Sequence, residues 1–302
     1  MNWAQLLLNS AITGSLYFLL TLGLTMTYDL LNFANVSHAE LITFGAYIGY
    51  VVSDTLNLGF IWGVTASFFS SGLLGIISYM LVFRPLARRG ADFIHLCIAS
   101  VGYSLTLRFL MQQAWGQDIV LFESRFKAFT LGPIRLSWLG VSIMAMAIAL
   151  FVSLHLILTR TKLGKAMRAT SNNIVLAKAS GINTEQVLLV VWFLGSALAG
   201  IGGVLKGCDT MVIPVLGWNL LIMVFATAIL GGIGSFYGAF AAAYSIGLAE
   251  NLSVATLGHL GLSTDYKGIV AFGILTAMLI LKPTGLSGIK VFRRTLLRSD
   301  RN

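Results

Sequence analysis

Charged residues are scarce in this chain. Asp, Glu, Lys and Arg make up 10% of its 302 residues, whereas soluble domains carry about a quarter. Hydrophobic residues make up 57%, and the mean hydropathy is +0.86. This composition excludes an ordinary soluble domain and predicts an integral membrane protein. The net charge of +9 is read as a marker of topology rather than of nucleic-acid binding, because basic residues flank membrane spans on the cytoplasmic side.

The residues that catalysis and metal binding need are also few. Cys97 and Cys208 lie in or beside apolar runs and form neither a CxxC pair nor a disulfide framework. The four histidines are scattered, and no HExxH or GxSxG motif occurs. The Gly164-Lys165 pair lacks the upstream glycine of a nucleotide-binding loop. We therefore expect a non-catalytic chain without a cofactor or metal of its own and without a nucleic-acid partner.

Long apolar runs dominate the rest of the sequence. A helix needs roughly 20 apolar residues to cross a bilayer, and nine segments approach or exceed that length. They are 6–28, 38–53, 58–83, 93–112, 137–158, 186–206, 218–233, 236–252 and 268–282. Glycines interrupt the 218–252 pair, which is alternatively one re-entrant element plus a span. We predict an all-α polytopic membrane protein, a bundle of about 8–10 transmembrane helices forming a single domain over residues 1–302.

The basic residues predict the orientation of the bundle. With nine spans, the three most basic segments fall on one side of the membrane, which is the cytoplasmic side. This places the C-terminus inside and the N-terminus outside, and it predicts at most a short extracytoplasmic cap at 113–136. The basic segments are 84–89 with Arg84, Arg88 and Arg89, 160–182 with Arg160, Lys162, Lys165, Arg168 and Lys178, and the tail at 288–302 with Lys290, Arg293, Arg294, Arg298 and Arg301.

The 160–182 segment is too polar to span and too apolar for a solvated loop. Small and apolar residues predict one side of a short helix, and Gly181 supplies its end. Two partners remain open from the residues alone: anionic lipid under an interfacial helix, or a groove on a cytoplasmic protein. The predicted apolar side comprises Ala166, Met167, Ala169, Ile174, Leu176, Ala177 and Ala179.

Several polar residues fall at membrane depth, where charge is costly and often functional. Glu40 and Arg108 have two interpretations that the sequence supports equally. They form an ion pair that holds helices together, or they take part in translocation. Lys206 and Asp209 lie near a span end, which favours an interfacial position. Asn35, His38 and Glu40 crowd a polar patch that fits either a pathway lining or a turn between spans.

Glycines interrupt the apolar run at 230–239. Gly231, Gly232, Gly234 and Ser235 are typical of a broken helix, a feature from which transporters build binding sites. A packing turn without a ligand explains the same pattern, and the residues do not separate the two.

Four motifs in register resemble the permeases of ABC importers in the branched-chain amino-acid (LivH-like) family. The first is Asn35-Val36-Ser37-His38-Ala39-Glu40 with Gly45-Ala46-Tyr47, although Val36, Ser37 and Ala39 replace the usual Phe, Ala and Gly. The others follow in order along the chain. They are Gly164, Arg168, Ala169, Ala177, Gly181, Ile182 and Asn183; Leu230-Gly231-Gly232-Ile233-Gly234-Ser235 with Gly238-Ala239; and Pro283-Thr284-Gly285-Leu286-Ser287-Gly288.

The resemblance implies a permease subunit of the bacterial or archaeal inner membrane that works by alternating access. Its implied partners are a second permease, two cytoplasmic ATPases that hold ATP and Mg²⁺, and an extracytoplasmic solute-binding protein. Implied substrates are branched-chain or other neutral amino acids, with urea or short amides as the alternative. A secondary transporter and a passive channel for a small neutral solute are the remaining alternatives for its function. The implied ATPase-coupling residues are Gly164, Lys165, Arg168, Ala169, Ala177 and Gly181.

Overall fold

The computed structural model describes residues 2–123, 126–132, 134–232 and 234–259, with isolated positions beyond. These residues form eleven α-helices and one β-hairpin. In chain order they are α1 (Trp3–Leu31), α2 (His38–Tyr50), α3 (Phe60–Ser78), α4 (Arg84–Arg88), α5 (Phe93–Trp115), β1 (Ala128–Leu131), β2 (Ile134–Ser137), α6 (Trp138–Arg160), α7 (Lys162–Asn172), α8 (Ile174–Ala179), α9 (Thr184–Asp209), α10 (Leu216–Gly231) and α11 (Phe236–His259).

The predicted membrane bundle is confirmed. Five helical stretches among the described residues are long and apolar enough to cross a membrane: α1, the continuous Phe60–Arg88 helix, α5, α6 and α9. The Phe60–Arg88 helix joins α3 to α4 through a π-helical turn at Tyr79–Phe83. The glycine-interrupted pair forms two separate helices, α10 and α11. The predicted segment at 268–282, the closing motif and the basic tail fall mostly or wholly outside the described residues.

One β-hairpin accompanies the helices of the predicted bundle. Within the predicted cap at 113–136 and just beyond it, β1 and β2 pair antiparallel, with Ala128 opposite Ser137 and Leu131 opposite Ile134. Gly132 takes a positive φ of 59° between them, a conformation that glycine adopts without steric cost. The aromatic and β-branched residues on either side favour strands, and the segment is too short and polar to form a span.

The helices divide into two compact units. One comprises Leu22–Arg125 and Ala149–Leu221, and in it α9 packs against α2 and α3 through small residues. A Cβ on Gly45 would lie 2.7 Å from the Gly200 carbonyl oxygen, and one on Gly200 would lie 2.9 Å from the Ser67 carbonyl oxygen. In lipid, helix association depends on such close backbone contact. These glycines therefore set the spacing of the three helices.

The other unit comprises Met1–Thr21, Phe126–Ile148 and Ile222–Asn302. Here the first part of α1 packs against α11. The Tyr17 hydroxyl donates a hydrogen bond to Glu250 Oε2 at 2.5 Å, and the Phe18 and Phe240 rings meet edge to face at 5.2 Å. Glu250 is only 6% exposed, so this hydrogen bond helps compensate a carboxyl group buried in the bundle.

Candidate functional site

The 160–182 segment forms two helices rather than the single predicted one. The Thr161 hydroxyl accepts a hydrogen bond from the Gly164 N–H at 3.1 Å and begins α7. Asn173 then breaks the helix with an extended backbone, φ −161° and ψ 104°. Its Oδ1 accepts hydrogen bonds from the N–H groups of Val175 and Leu176, both at 3.0 Å, and so begins α8. Asparagine is a strong N-cap residue, which accounts for the break.

The start of α7 is fixed against the end of α6. Arg168 donates a hydrogen bond from Nη1 to the Leu158 carbonyl oxygen at 2.5 Å. That carbonyl lies in the last turn of α6, where carbonyl groups lack helical partners and attract cations. A Cβ on Gly164 would collide with the carbonyl oxygens of Ile157 and Leu158. Gly164 and Arg168 therefore shape one corner between α6 and α7.

The two faces of this segment differ in burial. Met167 and Thr170 on α7 and Ala177 on α8 are buried, at 6%, 2% and 4% exposure. Val175 and Leu176 are 73% and 64% exposed. The predicted apolar side placed Leu176 together with Ala177, but in α8 Ala177 faces inward and Leu176 faces outward. We call Val175 and Leu176 the exposed apolar pair.

The end of α8 leads directly into α9. Gly181 has φ +83°, and the N–H groups of Gly181 and Ile182 donate to the carbonyl oxygens of Lys178 and Ala177, both at 3.0 Å. This is the Schellman arrangement, in which a glycine in the left-handed region ends the helix. Asn183 Oδ1 then accepts from the Gln186 N–H at 3.2 Å and begins α9. The predicted helix stop at Gly181 is thus present.

The predicted coupling residues do not share one role in this structure. Gly164 and Arg168 hold the corner with α6, Ala177 packs inward, and Gly181 makes the turn into α9. Lys165 is exposed, and Ala169 is half-buried. A contact that the sequence did not predict joins Ser171 of α7 to the Asp29 side chain near the end of α1.

A second polar group lies deep in the same unit, where the anticipated pair between Glu40 and Arg108 is formed. Arg108 Nη2 and Nε donate to Glu40 Oε1 at 2.6 and 3.2 Å. The Ser104 hydroxyl donates to the same oxygen at 3.0 Å. The Arg108 guanidinium also lies 4.3 Å from the ring centroid of Trp218, a cation–π distance. The cluster therefore links α2, α5 and the first part of α10.

The polar residues before α2 form a turn. Asn32 has a positive φ of 51°, and Ser37 Oγ donates to Asn35 Oδ1 at 2.6 Å. The Val36 N–H donates to Ser100 Oγ at 3.1 Å, so the turn is tied to α5. Asn35 and His38 are each 1% exposed. The turn reading thus fits residues 32–37, while His38 and Glu40 belong to α2.

The glycine-rich segment forms the close contact between α10 and α11. Gly232 and Gly234 have φ values of 89° and 83°. A Cβ on Gly231 would lie 2.5 Å from the Gly238 carbonyl carbon. Ser235 Oγ accepts from the Gly238 N–H at 3.1 Å and begins α11. In the second unit, Gly231 and Gly238 thus allow close helix packing, and Ser235 caps α11.

A family model described as "Branched-chain amino acid transport system / permease component" matches residues 6–279. The chain belongs to this family. The resemblance drawn from the four motifs is thereby confirmed, and the chain is a multi-pass permease of the inner membrane.

Similar proteins cover nearly the whole permease. The high-affinity branched-chain amino acid transport system permease protein BraD of Pseudomonas aeruginosa is 29% identical over 95% of this chain and 96% of its own. The LivH permease protein of Salmonella typhimurium is 29% identical over 94% and 95%. A probable LivH of Methanocaldococcus jannaschii is 29% identical over 98% and 96%.

A solved structure shares the fold. PsaBC from Streptococcus pneumoniae, solved in complex with Fab, matches 96% of this permease with a TM-score of 0.53 and 15% identity, and 94% of that chain is covered. At this identity the similarity concerns the fold alone.

Several residues of the site escaped the sequence analysis. Ser100 and Ser104 precede the already predicted Arg108 at intervals of four residues, a spacing that places all three on one face of α5, and this signal was available. Trp218 carried no such signal, because nothing in its neighbourhood identifies α5 as its partner. The exposed apolar pair was obscured by treating 160–182 as one helix.

Proposed function

We propose that this permease is the membrane subunit of an ATP-driven ABC importer that moves branched-chain or other neutral amino acids into the cell by alternating access. Family membership and the printed functions of the relatives support the substrate class. The chain itself performs no chemistry in this proposal. ATP and Mg²⁺ bind two separate ATPase subunits, and a second permease and an extracytoplasmic solute-binding protein complete the assembly.

The exposed apolar pair carries the proposal. Val175 and Leu176 point away from the bundle on a helix that is otherwise anchored to it. An apolar projection on a short helix fits a groove in a protein partner, and we assign that groove to an ATPase.

The anchors of α7 and α8 would transmit movement to the spans. Arg168 and Gly164 join α7 to the end of α6, Ser171 joins it to α1, and the turn at Gly181 joins α8 to α9. A displacement of α8 by closing ATPases would therefore pull on three spans. This connectivity favours a coupling role for the 160–182 segment over a role as a topology marker alone.

The same proposal sets the sidedness of the membrane. The segments 84–89 and 160–182 would face the cytoplasm, with the N-terminus outside and the C-terminus inside, in keeping with the bias in basic residues. Arg84 and Arg88 of the first segment both form ion pairs with Glu185 at the start of α9, which supports a shared side for the two regions.

A pathway role remains part of the proposal for Asn35, His38 and Glu40, and separately for Gly231, Gly232, Gly234 and Ser235. Asn35, His38 and Glu40 are each at most 1% exposed. Solute would reach them only when α2 separates from α5. The Glu40–Arg108 pair lies between these helices and would hold the pathway closed in the present conformation.

Purification of the permease with its co-expressed genomic neighbours tests this function. We expect two ATPase subunits to co-purify, and uptake of labelled leucine into proteoliposomes to require ATP inside and the binding protein outside. A parallel panel with urea and acetamide tests the substrate class. Uptake that continues without ATP but collapses with the proton gradient would identify a secondary transporter instead.

A further inference from the structure

A cavity of about 400 Å³ lies beside α8, where three spans end. Small-molecule sites in proteins commonly begin at about 300 Å³, so the cavity has room for a ligand or a ligand's head group. The walls that matter here are three cations, one carboxylate and two leucines: Arg84, Arg88, Lys178, Glu185, Leu31 and Leu188.

The charges in the cavity favour an anion. Glu185 forms ion pairs with Arg84 and with Arg88, the latter at 3.0 Å between Oε1 and Nη2. One carboxylate against three cations leaves two positive charges uncompensated within the lining. Arg84 Nε is buried and has no hydrogen-bond partner, and Lys178 has no ion pair within the described part of the chain. The exposed Lys178 ammonium is therefore a donor available to a ligand.

The position of the cavity favours an amphiphile. α1 ends at Leu31, the Phe60–Arg88 helix ends at Arg88, and α9 begins at Thr184, so the cavity lies at the level where the spans leave the membrane. Lipid head groups occupy that level. Leu31 and Leu188 add an apolar wall beside the cations. Basic pockets between transmembrane helices are suited to anionic lipid head groups.

We propose that this cavity binds the phosphate of an anionic phospholipid, with Arg84, Arg88 and Lys178 around the phosphate and the leucines against the adjoining glycerol and acyl carbons. The bound phosphate links α4 to α8. If α8 couples ATPase movement to the spans, as proposed above, the lipid would stiffen that connection. The binding site itself does not depend on the transport proposal.

Native mass spectrometry of the full-length permease in detergent tests the site. Phosphatidylglycerol and phosphatidylcholine are added in turn to the wild type and to the Arg88→Gln and Lys178→Gln variants. Arg89→Gln is the matched control, because Arg89 is an exposed neighbour that does not line the cavity. We expect each cavity variant to retain phosphatidylglycerol about fivefold less well, and we expect Arg89→Gln to behave like the wild type.

Three outcomes would overturn the proposal. An equal loss of bound phosphatidylglycerol in Arg88→Gln and Arg89→Gln would mean that the lipid is held by the general surface charge rather than by the cavity. Equal retention of phosphatidylcholine would mean that the phosphate site does not select anionic lipid. Displacement of phosphatidylglycerol by millimolar inorganic phosphate would indicate a soluble anion as the ligand. Lys178→Gln breaks no ion pair within the described part of the chain, so we expect it to unfold at the wild-type temperature, and that measurement separates lost binding from misfolding. None of these results bears on ATP-dependent uptake.

Discussion

Glu40 and Arg108 form an ion pair, 2.6 Å between Oε1 and Nη2, in which the glutamate side chain has no exposed surface and the arginine side chain is 11% exposed. The pair joins α2 to α5, and Ser104 adds a third hydrogen bond to the same carboxylate oxygen. Buried pairs of this kind add little net stability but strongly penalise the loss of one partner. That asymmetry makes the pair testable.

Arg108→Gln and Glu40→Gln should each destabilise the permease by about 3–5 kcal/mol, because each leaves one buried charge without its partner. The double variant should lose far less than the sum, since two neutral amides can hydrogen-bond to each other. Thermal unfolding of the four proteins in detergent gives the interaction energy.

Lys206→Gln is the control for this cycle. Lys206 pairs with Asp209 at 2.9 Å near the end of α9, with side-chain exposures of 21% and 37%. Partly exposed pairs contribute about 0–1 kcal/mol, so this variant should unfold nearly like the wild type. Additive single-variant losses at Glu40 and Arg108 would show that they do not act as a pair.

The contacts around the Glu40–Arg108 pair show which parts of the site can be predicted from the sequence. A charged side chain at membrane depth is costly without a partner of opposite charge. The presence of Glu40 and Arg108 in two apolar runs therefore predicted an ion pair between them. Trp218 was not, since its contact depends on which helices are neighbours, and hydropathy does not encode that. The same holds for Ser171 and Asp29, which meet only through the path of α7 past the end of α1.

Gly164→Ala should destabilise the corner between α6 and α7 by about 1–3 kcal/mol, the usual cost of overpacking, because the added Cβ meets two backbone carbonyl oxygens. Gly102→Ala is the matched control: it lies within α5, and a Cβ there meets nothing within 4 Å. That change should be neutral or stabilising by up to about 1 kcal/mol. Limited proteolysis at 160–182 and thermal unfolding measure both effects. Equal stability of the two variants would contradict the assigned packing.

Arg168→Ala should uncouple the transporter rather than unfold it. The change removes a charge-assisted hydrogen bond to the Leu158 carbonyl oxygen, and such a bond contributes about 1.5–3 kcal/mol. The population of molecules in which α7 is held against the end of α6 should therefore fall roughly tenfold or more. ATP hydrolysis by the reconstituted assembly should persist while leucine uptake per ATP falls. Lys162→Ala, an exposed basic residue on the same helix, should leave the ratio unchanged. An unchanged ratio in Arg168→Ala would remove the arginine from the coupling route.

Local signals explain what else was predicted and what was missed. Gly181 indicated a helix end, and a Schellman turn is present there. Asn173 offered the same kind of signal for a helix start, but the apolar pattern on both sides concealed it. The β-hairpin at Ala128–Ser137 lies outside the long apolar runs, so a search for spans passes over it.

The most direct test of the central claim is the co-purification of ATPase with a Val175→Asp/Leu176→Asp permease. Burying two carboxylates in an apolar groove is strongly unfavourable, so we expect the ATPases to be lost while the permease still inserts and unfolds at the wild-type temperature. Ile119→Asp/Leu121→Asp, which alters residues that are 62% and 60% exposed in the segment after α5, should retain them. ATPase bound to the Val175→Asp/Leu176→Asp variant at the wild-type level would contradict the assignment of α8 as the docking helix.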